Sequence, residues 1–481
     1  MIKTPLLKPQ QNPGGLTDDQ YRAAKDIHAW YNSNELIYTL YGAAGTGKTY
    51  LLNYLLKHTF IHPTCVTAPT HKAVKVIESV TGRKGKTLQS LHGLRPDVNL
   101  EDFDINKVKF SPLGNDTIKS YKLVIIDECS QVGDALYQLN LKRAKEYNTK
   151  ILFLGDACQL SPINERYSKT FTVARKSELV QIVRQEDTNP LLKLFTLLRQ
   201  DTRDGGNRFL NYIQNTPTDV NENGEGYICV NVDKFQEEIV KVFKSKEFEL
   251  NPQGFVRYAA YTNPSVGVWN NYIRNTTLNE HDAILTIDDL LVGYKTIVDE
   301  YNTPVIINSE DYIIEALAKR ITDDGFEVYV ASMRSLLDGR SITTFIVDHK
   351  SDTFHIFRDI ITRLRYNAIK SNGVNRGRTW RAYFEYKNKF LCLQEFTVRN
   401  DDNQDVFVPK DLDYGYGLTI HKLQGTTITH IFINLLDICF YNGDKNFPLA
   451  NSRTRPYTLE TRNKLIYTAL SRAKKIAILL V

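Results

Sequence analysis

The residues with the most specific chemistry form a glycine-rich loop, G-x-x-x-x-G-K-T, at positions 42–49. An apolar run at 36–41 precedes this loop, and the helix-like run 50–57 follows it. Glycines let successive backbone N–H groups turn toward one small volume, and the following helix directs its positive dipole end there. Lys48 can then reach the outer phosphates of a nucleotide, while the Thr49 hydroxyl can hold Mg²⁺. The alternative is a glycine-rich turn before an ordinary helix, but the strand and helix on either side favour the phosphate loop.

Carboxylates end the next buried-type strand, since Asp127 and Glu128 directly follow the apolar run 123–126. Facing a phosphate loop, the first can hold Mg²⁺ and the second can orient and deprotonate an attacking water. A third apolar run, 150–155, leads into Asp156 and a turn with Gln159, which is placed to sense the outermost phosphate by a hydrogen bond. An isolated Asp-Glu pair could instead cap a helix, although the phosphate loop favours the catalytic interpretation.

Polar residues also cluster at other predicted strand ends. Thr70 and His71 fall between the strand-like run from residue 64 and a helix, and the cluster 87–92 follows soon after. In an open α/β sheet, ligands bind at the carboxyl ends of the strands. Near the start of the chain, Thr17 is a plausible N-cap for a helix that contains Gln20. The residues alone leave open whether Gln20 belongs to a capped surface helix or pairs with an adenine edge.

Composition bounds the class of protein. The 481 residues are 42% apolar and 11% aromatic, which is ample for more than one buried core. No stretch approaches the length of a membrane span, and the start of the chain, residues 1–15, lacks an apolar signal core. We therefore expect a loose N-terminal tail, no membrane attachment and a cytoplasmic location. The six scattered cysteines predict reduced thiols, and the net charge of +6 fits nucleic-acid contact without arguing for it.

The order of patterns predicts an α/β fold with two parallel-sheet lobes. The first lobe covers residues 16–185 and carries a hairpin insertion at 93–121. The second lobe covers 186–283 and 406–481, and it is split by a β-rich insertion at 284–405, where short alternating runs replace the α/β pattern. Within that insertion, residues 376–387 interleave basic and aromatic side chains. They could stack bases and hold phosphates, but Trp380, Tyr383, Phe384 and Lys387 share one helical face, which favours a packed amphipathic helix.

The ordered set of motifs resembles the superfamily 1 helicases of the 5′→3′ branch, of the phage Dda and bacterial RecD types. The resemblance runs from residue 16 to the last residue. Its motifs are G-A-A-G-T-G-K-T, T-A-P-T-H-K-A, D-E-C-S, G-D-A-C-Q-L-S-P, L-T-I-H-K-L-Q-G and Y-T-A-L-S-R-A. The family implies two RecA-like lobes, an SH3-like insertion in the second, and ATP-driven translocation on single-stranded DNA.

The same resemblance implies roles for individual residues. Catalysis would fall to Lys48, Asp127, Glu128, Gln159 and two arginine fingers, Arg184 and Arg472. ATP would be held by Gln20, Gly45, Thr46, Gly47, Lys48, Thr49 and Gly425, with Mg²⁺ on Thr49 and Asp127. Single-stranded DNA would contact Pro69, Thr70, His71, Thr87 and Ser90 in the first lobe and Thr262, Asn263, Thr419 and His421 in the second. A strand-separating wedge would carry Phe103 or Phe110 at its tip.

Two residues depart from the family pattern: Ser161 replaces the first of two prolines, and Gln89 stands where relatives often have His. The chain also has no nuclease block, so we expect a stand-alone, monomeric motor that acts on forked DNA. Replication proteins or single-strand-binding proteins are possible partners, and the composition hints at a phage and hence a host cytoplasm. Two other functions stay open from the sequence: an RNA helicase, and a nucleotide-dependent clamp that does not separate strands.

Overall fold

The computed structural model describes residues 15–60, 63–96, 110–112, 116–162, 165–181, 183, 188–278, 282–298, 304–372, 374–399, 405–439 and 458–481. The predicted tail, 1–15, therefore lies outside the described residues except for Gly15. The six cysteines all lie within them, and all are free thiols.

The first lobe is built on a six-stranded sheet in which every pairing is parallel. Its elements are α1 (Asp18–Tyr31), β1 (Ile37–Gly42), α2 (Lys48–His58), β2 (Thr64–Ala68), α3 (His71–Thr81), β3 (Gly85–Thr87), α4 (Leu88–Leu91), β4 (Leu94–Pro96), β5 (Phe110–Pro112), β6 (Leu123–Ile126), α5 (Asp134–Tyr147), β7 (Lys150–Gly155) and β8 (Lys176–Leu179). The strand order is β3-β2-β6-β7-β1-β8. The central strands β6 and β7 are apolar along nearly their whole length because helices cover both faces of such a sheet.

The second lobe begins with a pair of helices and the first strands of its own sheet. The elements are α6 (Leu191–Asp204), α7 (Arg208–Asn215), β9 (Thr218–Val220), β10 (Gly226–Val230), α8 (Val232–Phe243), α9 (Lys246–Leu250), β11 (Val256–Ala260) and α10 (Asn263–Leu278). Aromatic side chains fill the core between α8, α10 and β11, where Phe235 packs edge-on against Trp269 with ring centroids 5.2 Å apart. Buried rings of this size contribute much of the apolar area that stabilises a lobe.

The insertion follows α10 and combines an antiparallel sheet with a helical hairpin. Its elements are β12 (Leu290–Gly293), β13 (Ile297–Val298), β14 (Pro304–Ile306), β15 (Asp311–Ile321), β16 (Glu327–Ser335), β17 (Ser341–Val347), α11 (Phe354–Lys370), α12 (Val374–Lys389), β18 (Phe390–Leu391), β19 (Phe396–Arg399), β20 (Asp405–Val408) and β21 (Leu412–Tyr414). The sheet order is β18-β17-β16-β15-β12-β21. Trp380 and Tyr383 are buried, as expected for a packed amphipathic helix.

The chain then returns to the second lobe with β22 (Gly417–Thr419), β23 (Ile428–Asn434), α13 (Leu435–Cys439), α14 (Leu459–Leu470) and β24 (Ala473–Leu480). The completed sheet has the order β22-β11-β23-β24-β10-β9, parallel except for β9. The predicted α/β class, with two parallel-sheet lobes and a β-rich insertion in the second, is confirmed. The divisions after residues 185, 283 and 405 stay predictions; the insertion sheet also takes in β21, which lies beyond residue 405.

The predicted hairpin in the first lobe has only its base among the described residues. β4 and β5 pair antiparallel, with Leu94 opposite Pro112 and Pro96 opposite Phe110. Phe110 thus belongs to the hairpin's strand and not to its tip, which differs from the expectation. Phe103 lies outside the described residues, so the wedge assignment stays a prediction.

Candidate nucleotide cleft and strand-contact loops

The phosphate loop of the first lobe is residues 43–47, which connect β1 to α2. Gly45 and Gly47 have positive φ values of 82° and 77°, a conformation that favours glycine. A Cβ on Gly47 would lie 2.4 Å from Nε2 of Gln20, so this position also lacks room for a side chain. No side chain caps the start of α2, and its first N–H groups are therefore left for an anion.

Lys48 and Gln20 hold this loop in shape. The Lys48 ammonium donates to the carbonyl oxygens of Gly42 at 2.8 Å and Ala43 at 2.9 Å, so it arches back across the loop. Gln20 is buried; its Nε2 donates to the carbonyl of Thr46 at 3.0 Å, and its Oε1 accepts from the N–H of Thr17 at 3.0 Å. Both ends of the Gln20 amide thus tie α1 to the loop. Its predicted contact with adenine stays a prediction, but the residue lies beside the loop.

The predicted metal and water residues lie at the end of β6, which neighbours β7 and β2 at the centre of the sheet. Asp127 accepts a hydrogen bond from the N–H of Glu128 at 2.9 Å, and Glu128 itself has a φ of 50°. A left-handed backbone at a residue that is not glycine stores strain, which often marks a functional position. Burial raises the pKa of Asp127. Burial, together with the neighbouring Asp127 charge, raises the pKa of Glu128 to about 7.

Residues of the second lobe face this acidic pair. The charge of Arg472, which follows α14, lowers the pKa of Glu128 and partly offsets the effect of burial. Arg472 is buried; it donates to the carbonyls of Thr468 at 3.2 Å and Thr426 at 3.3 Å, contacts within its own lobe that fix it in place. A Cβ on Gly425 would lie 3.8 Å from Oε1 of Glu128. The structure therefore brings the predicted Arg472 and Gly425 to the pocket that contains Lys48.

A direct seam between the lobes was missed by the sequence analysis. The Tyr467 hydroxyl on α14 donates to Asp156 of the first lobe at 2.8 Å and accepts from the N–H of Ala44 in the phosphate loop at 3.4 Å. Nearby, the Thr468 hydroxyl accepts from the N–H of Leu160 at 3.2 Å. The available signal was the tyrosine that opens Y-T-A-L-S-R-A, whose hydroxyl needs a partner once it is buried.

Gln159 and Arg184 complete the predicted catalytic set with different outcomes. Gln159 is buried on the same seam, and its Oε1 finds no hydrogen-bond partner among the described residues. An unsatisfied buried amide is costly, so a ligand or water is the expected partner. Arg184 lies outside the described residues, and its role as a second arginine finger stays a prediction.

The predicted strand contacts of the first lobe follow β2 and β3. Thr70 caps α3 by accepting from the N–H of Ala73 at 3.2 Å, and Thr87 caps α4 by accepting from the N–H of Ser90 at 3.2 Å. Their hydroxyls are thus partly engaged in holding the helix starts. Pro69 and His71 are half-buried and Ser90 is exposed, so all three retain accessible surface.

The predicted strand contacts of the second lobe follow β11 and β22. The Thr262 hydroxyl donates to Asp437 at 2.7 Å, and Asp437 also accepts from the N–H groups of Tyr261 and Thr262. Asn263 and His421 are exposed, whereas Thr419 is buried at the end of β22. The two edge strands β3-β2 occupy the same places in the first sheet as β22-β11 in the second. All predicted strand contacts therefore fall at corresponding strand ends of the two sheets.

Both sets of loops also touch the insertion. Lys72, next to His71, pairs with Asp311 of β15 at 3.5 Å, and both side chains are buried. Lys422, next to His421, donates to Asn308 at 2.9 Å, with its ammonium 4.0 Å from the centre of the Tyr294 ring. Burial and the neighbouring cations Lys410 and Lys72 lower the pKa of Lys422 to about 7. These contacts link the insertion mechanically to the strand-contact loops of both lobes.

A phosphate loop on one sheet, an arginine from a second sheet and a seam between them define a two-lobed P-loop nucleotide hydrolase. A family profile described as an AAA domain matches residues 15–215. The ATP-dependent RecD2 DNA helicase of Deinococcus radiodurans is 28% identical over 44% of this chain and 27% of its own length. The ATP-dependent DNA helicase Dda of Enterobacteria phage T4 is 24% identical over 60% of this chain and 62% of its own length.

Two further matches span nearly the whole chain. The uncharacterized protein R530 of Acanthamoeba polyphaga mimivirus is 22% identical and covers 88% of this chain and 94% of its own length. The crystal structure of a Bacteroides Pif1 helicase with ADP-AlF3 and ssDNA covers 96% of this chain and 92% of its own, with 18% identity and a TM-score of 0.48. The chain spans less than two thirds of the RecD2 and Dda sequences.

The matches to RecD2 and Dda support the resemblance that the motifs predicted, to superfamily 1 helicases of the Dda and RecD-like branch. Within the part of the chain that the structure describes, no helix is both long and apolar enough to cross a bilayer.

Proposed function

We propose that this protein is an ATP-dependent DNA helicase that moves 5′→3′ along single-stranded DNA and separates the duplex ahead of it. The observation that carries the proposal is the division of the site. The phosphate loop and the acidic pair belong to the first lobe. Arg472 belongs to the second lobe, and its charge lowers the pKa of Glu128. Hydrolysis then depends on how the two lobes meet.

The first lobe provides most of the hydrolytic chemistry. The N–H groups of the phosphate loop and the Lys48 ammonium would bind the β- and γ-phosphates of ATP. Glu128, with a pKa raised to about 7, suits the role of a base that takes a proton from the attacking water. Asp127 keeps its position through the Glu128 N–H. The unsatisfied Oε1 belongs to Gln159, whose neighbour Leu160 bonds Thr468 of the second lobe.

The residues present also fit a magnesium ion. Among the described residues, no group of three His, Cys, Asp or Glu side chains could hold a metal without a ligand's help. Mg²⁺ typically binds one or two protein oxygens and completes its shell with substrate phosphates and water. Thr49 and Asp127 would provide those oxygens here, and the ion would neutralise charge on the phosphates. This donor set agrees with binding of Mg²⁺ together with ATP.

The second lobe provides Arg472 and the seam. In the transition state, negative charge grows on the γ-phosphoryl oxygens, and an arginine at that place lowers its energy. Because Arg472 is held by carbonyls of its own lobe, its distance from the phosphates changes whenever the lobes move. Hydrolysis and lobe movement are thereby coupled.

Movement of the lobes would become movement along DNA through the corresponding strand ends. If the lobes approach and separate once for each ATP, the loops after β2 and β3 and those after β11 and β22 approach and separate too. Alternating grip by the two sets would advance the strand. Since such contacts are mainly to phosphates and sugars, we expect little sequence preference and a strong dependence on salt. We infer that the protein acts as a monomer at forks, in the cytoplasm of its host.

The decisive experiment compares two forked duplexes that differ only in which strand carries the single-stranded tail. With ATP and Mg²⁺, we expect the 5′-tailed duplex to be opened and the 3′-tailed duplex to remain closed. Opening of the 3′-tailed duplex alone would contradict the proposed direction. ATP hydrolysis stimulated by DNA without opening of either duplex would instead favour a clamp. The same pair made with RNA tails distinguishes the two nucleic acids, and Lys48→Ala is the control for ATP dependence.

A further inference from the structure

The helical hairpin of the insertion, α11 and α12 with their connecting turn, carries an unusual share of the charge. Between residues 354 and 389 there are nine Lys and Arg and two Asp and Glu. This segment therefore has a net charge of +7, while the whole chain has +6. The remainder of the protein is close to neutral, at −1. The mild basicity of the chain is thus concentrated in one structural element.

Three of the nine cations hold the insertion together. Arg358 donates to the carbonyl of Thr397 at 3.0 Å and Arg365 to that of Phe407 at 3.5 Å, which attaches the β19–β20 hairpin to α11. Lys387 is buried and forms an ion pair with Asp411. Their partners explain these three residues without any ligand.

The other six cations lie outside the buried core of the hairpin. Five of them are exposed and one, Arg376, is half-buried; the six are Arg363, Lys370, Arg376, Arg378, Arg381 and Lys389. Arg381 pairs with Glu385 at 2.7 Å, but both side chains are more than half exposed, and such pairs contribute little stability. Arg376 stands in the first turn of α12, which has no acidic residue. A cation there opposes the helix dipole, so the position is unfavourable for folding and suited to an anionic ligand.

Most aromatic residues of the same helices pack in the core of the insertion. Trp380 and Tyr383 are buried, with Trp380 stacked on Phe384 at 5.7 Å and Phe357 on Tyr386 at 6.4 Å. Proteins that bind single strands usually stack exposed rings on the bases. Here most of the rings lie in the core, and five of the nine cations are exposed to solvent. Most rings of the hairpin are therefore unavailable for stacking on bases, whereas its cations can reach phosphates, which fits the backbone of a duplex.

We propose that the basic surface of α11 and α12 binds the phosphate backbone of double-stranded DNA. This inference rests on the proposed function, since a helicase at a fork meets a duplex beside the single strand in its cleft. The insertion that carries the hairpin contacts the strand-contact loops of both lobes through Asp311 and Asn308. The duplex would thus be held by a body that also touches the single-strand track.

The test compares binding of a 5′ single-stranded tail with binding of the same tail attached to a duplex, over a range of salt concentrations. The variant is Arg363→Gln with Arg378→Gln and Arg381→Gln. The matched control removes three exposed cations from the second lobe, Lys241→Gln with Lys244→Gln and Lys246→Gln. A second variant with lysine at the three arginine positions keeps the charge, and thermal unfolding checks that each protein is folded.

The duplex advantage is the ratio of the affinity for the duplex-bearing DNA to the affinity for the tail alone. For the glutamine variant, we expect this ratio to fall on the order of tenfold. The slope of log affinity against log salt should decrease by about three, because each lost phosphate contact removes about one unit. Affinity for the tail alone and ATP hydrolysis stimulated by it should stay within twofold of the unmodified protein. The lysine variant and the matched control should keep the advantage of the duplex.

An unchanged duplex advantage in the glutamine variant would overturn the proposal, as would an equal loss in the matched control. An equal loss of affinity for the tail alone would assign the surface to single-stranded DNA and overturn it too. Failure of the proposed function looks different. In that case the unmodified protein would open neither forked duplex, while the three arginines would still determine how tightly the duplex binds.

Discussion

Five of the six strands follow the same order in the two lobes, and only the edge strands β8 and β9 differ, yet the helices that follow equivalent strands begin differently. In the first sheet the fifth strand is β1, and in the second it is β10. Residues 43–47 separate β1 from α2, whose start has no side-chain cap. A single residue, Asn231, separates β10 from α8, and its side chain accepts from the N–H of Lys234 at 3.0 Å. The anion site is therefore made by an uncapped helix start and not by the fold.

The loops that follow the second strand of each sheet, β2 and β11, can be compared in the same way. After β2, Thr70 caps the following helix. After β11, Asp437 accepts from the N–H groups of Tyr261 and Thr262 at 2.7 and 2.8 Å, so a carboxylate of the protein occupies the place an anion would take. Both lobes satisfy these N–H groups internally. Protein side chains thus accept from N–H groups at both of these positions, whereas none does so at the start of α2.

The largest effect on ATP hydrolysis should come from replacing Lys48, the cation at the phosphate loop of the first lobe. We expect Lys48→Ala to lose ATP hydrolysis by at least about a thousandfold, because the γ-phosphate loses its nearest positive charge. Single-stranded DNA should still bind within about twofold, since the predicted strand contacts lie on other strands. Turnover assays and fluorescence binding measure the two effects. Normal turnover would show that the first lobe's loop is not the phosphate site.

Removing the second lobe's contribution should slow hydrolysis while leaving ATP binding in place. For Arg472→Ala we expect a loss on the order of a thousandfold in kcat, as for other arginines that act from a second body. Single-turnover assays and binding of labelled ATP separate the two quantities. Because Arg472 also bonds Thr468 and Thr426, Arg472→Lys and a thermal unfolding curve are needed as controls. A rate equal to that of the unmodified protein would mean that the first lobe hydrolyses ATP alone.

The seam itself can be weakened without touching charge. Tyr467→Phe removes the hydroxyl that donates to Asp156 and accepts from the Ala44 N–H. We expect DNA-stimulated kcat to fall about tenfold, since the two lost hydrogen bonds together contribute about 1.4 kcal/mol. Tyr227→Phe is the matched control, since that buried hydroxyl bonds the carbonyl of Thr216 within one lobe. Equal losses of kcat in the two variants would mean that the Tyr467 hydroxyl has no role beyond that of any buried hydrogen-bonded hydroxyl.

The pH dependence of kcat tests whether Arg472 of the second lobe acts on Glu128 of the first through its charge. A purely structural role of Arg472 would leave that pH dependence unchanged. Glu128 acts as a base only when ionised, so kcat should rise as pH increases through about 7. Arg472 lowers the pKa of Glu128, and its removal should therefore shift this rise to higher pH. A pH–rate profile of Arg472→Ala beside the unmodified protein gives the answer. An unshifted profile would mean that Arg472 does not influence the ionisation of Glu128.

The sequence was sufficient for the elements with strong local signals. The glycine loop, the Asp127–Glu128 pair and the α/β order could all be predicted because strand, turn and helix signals adjoin in the chain. The packed face of α12 was predicted from spacing alone. What could not be predicted depends on distant pairs, such as Tyr467 with Asp156 or Asp437 with Thr262, which only the folded chain brings together. The concentration of charge in residues 354–389 was available in the sequence, but only the buried rings show which side the cations occupy.

The smallest expected effect tests the comparison of the two helix starts most directly. Asn231→Ala removes the cap of α8, and we expect the free energy of unfolding to decrease by about 1 kcal/mol with no change in kcat. Gly47→Ala is the counterpart in the first lobe, where a side chain would strain the loop and meet Gln20, so ATP binding should weaken. Chemical denaturation and ATP titration measure the two quantities for both proteins. If Asn231→Ala instead impaired ATP binding, the second lobe's helix start would contribute to the nucleotide site, and the division between an open and a capped helix would not hold.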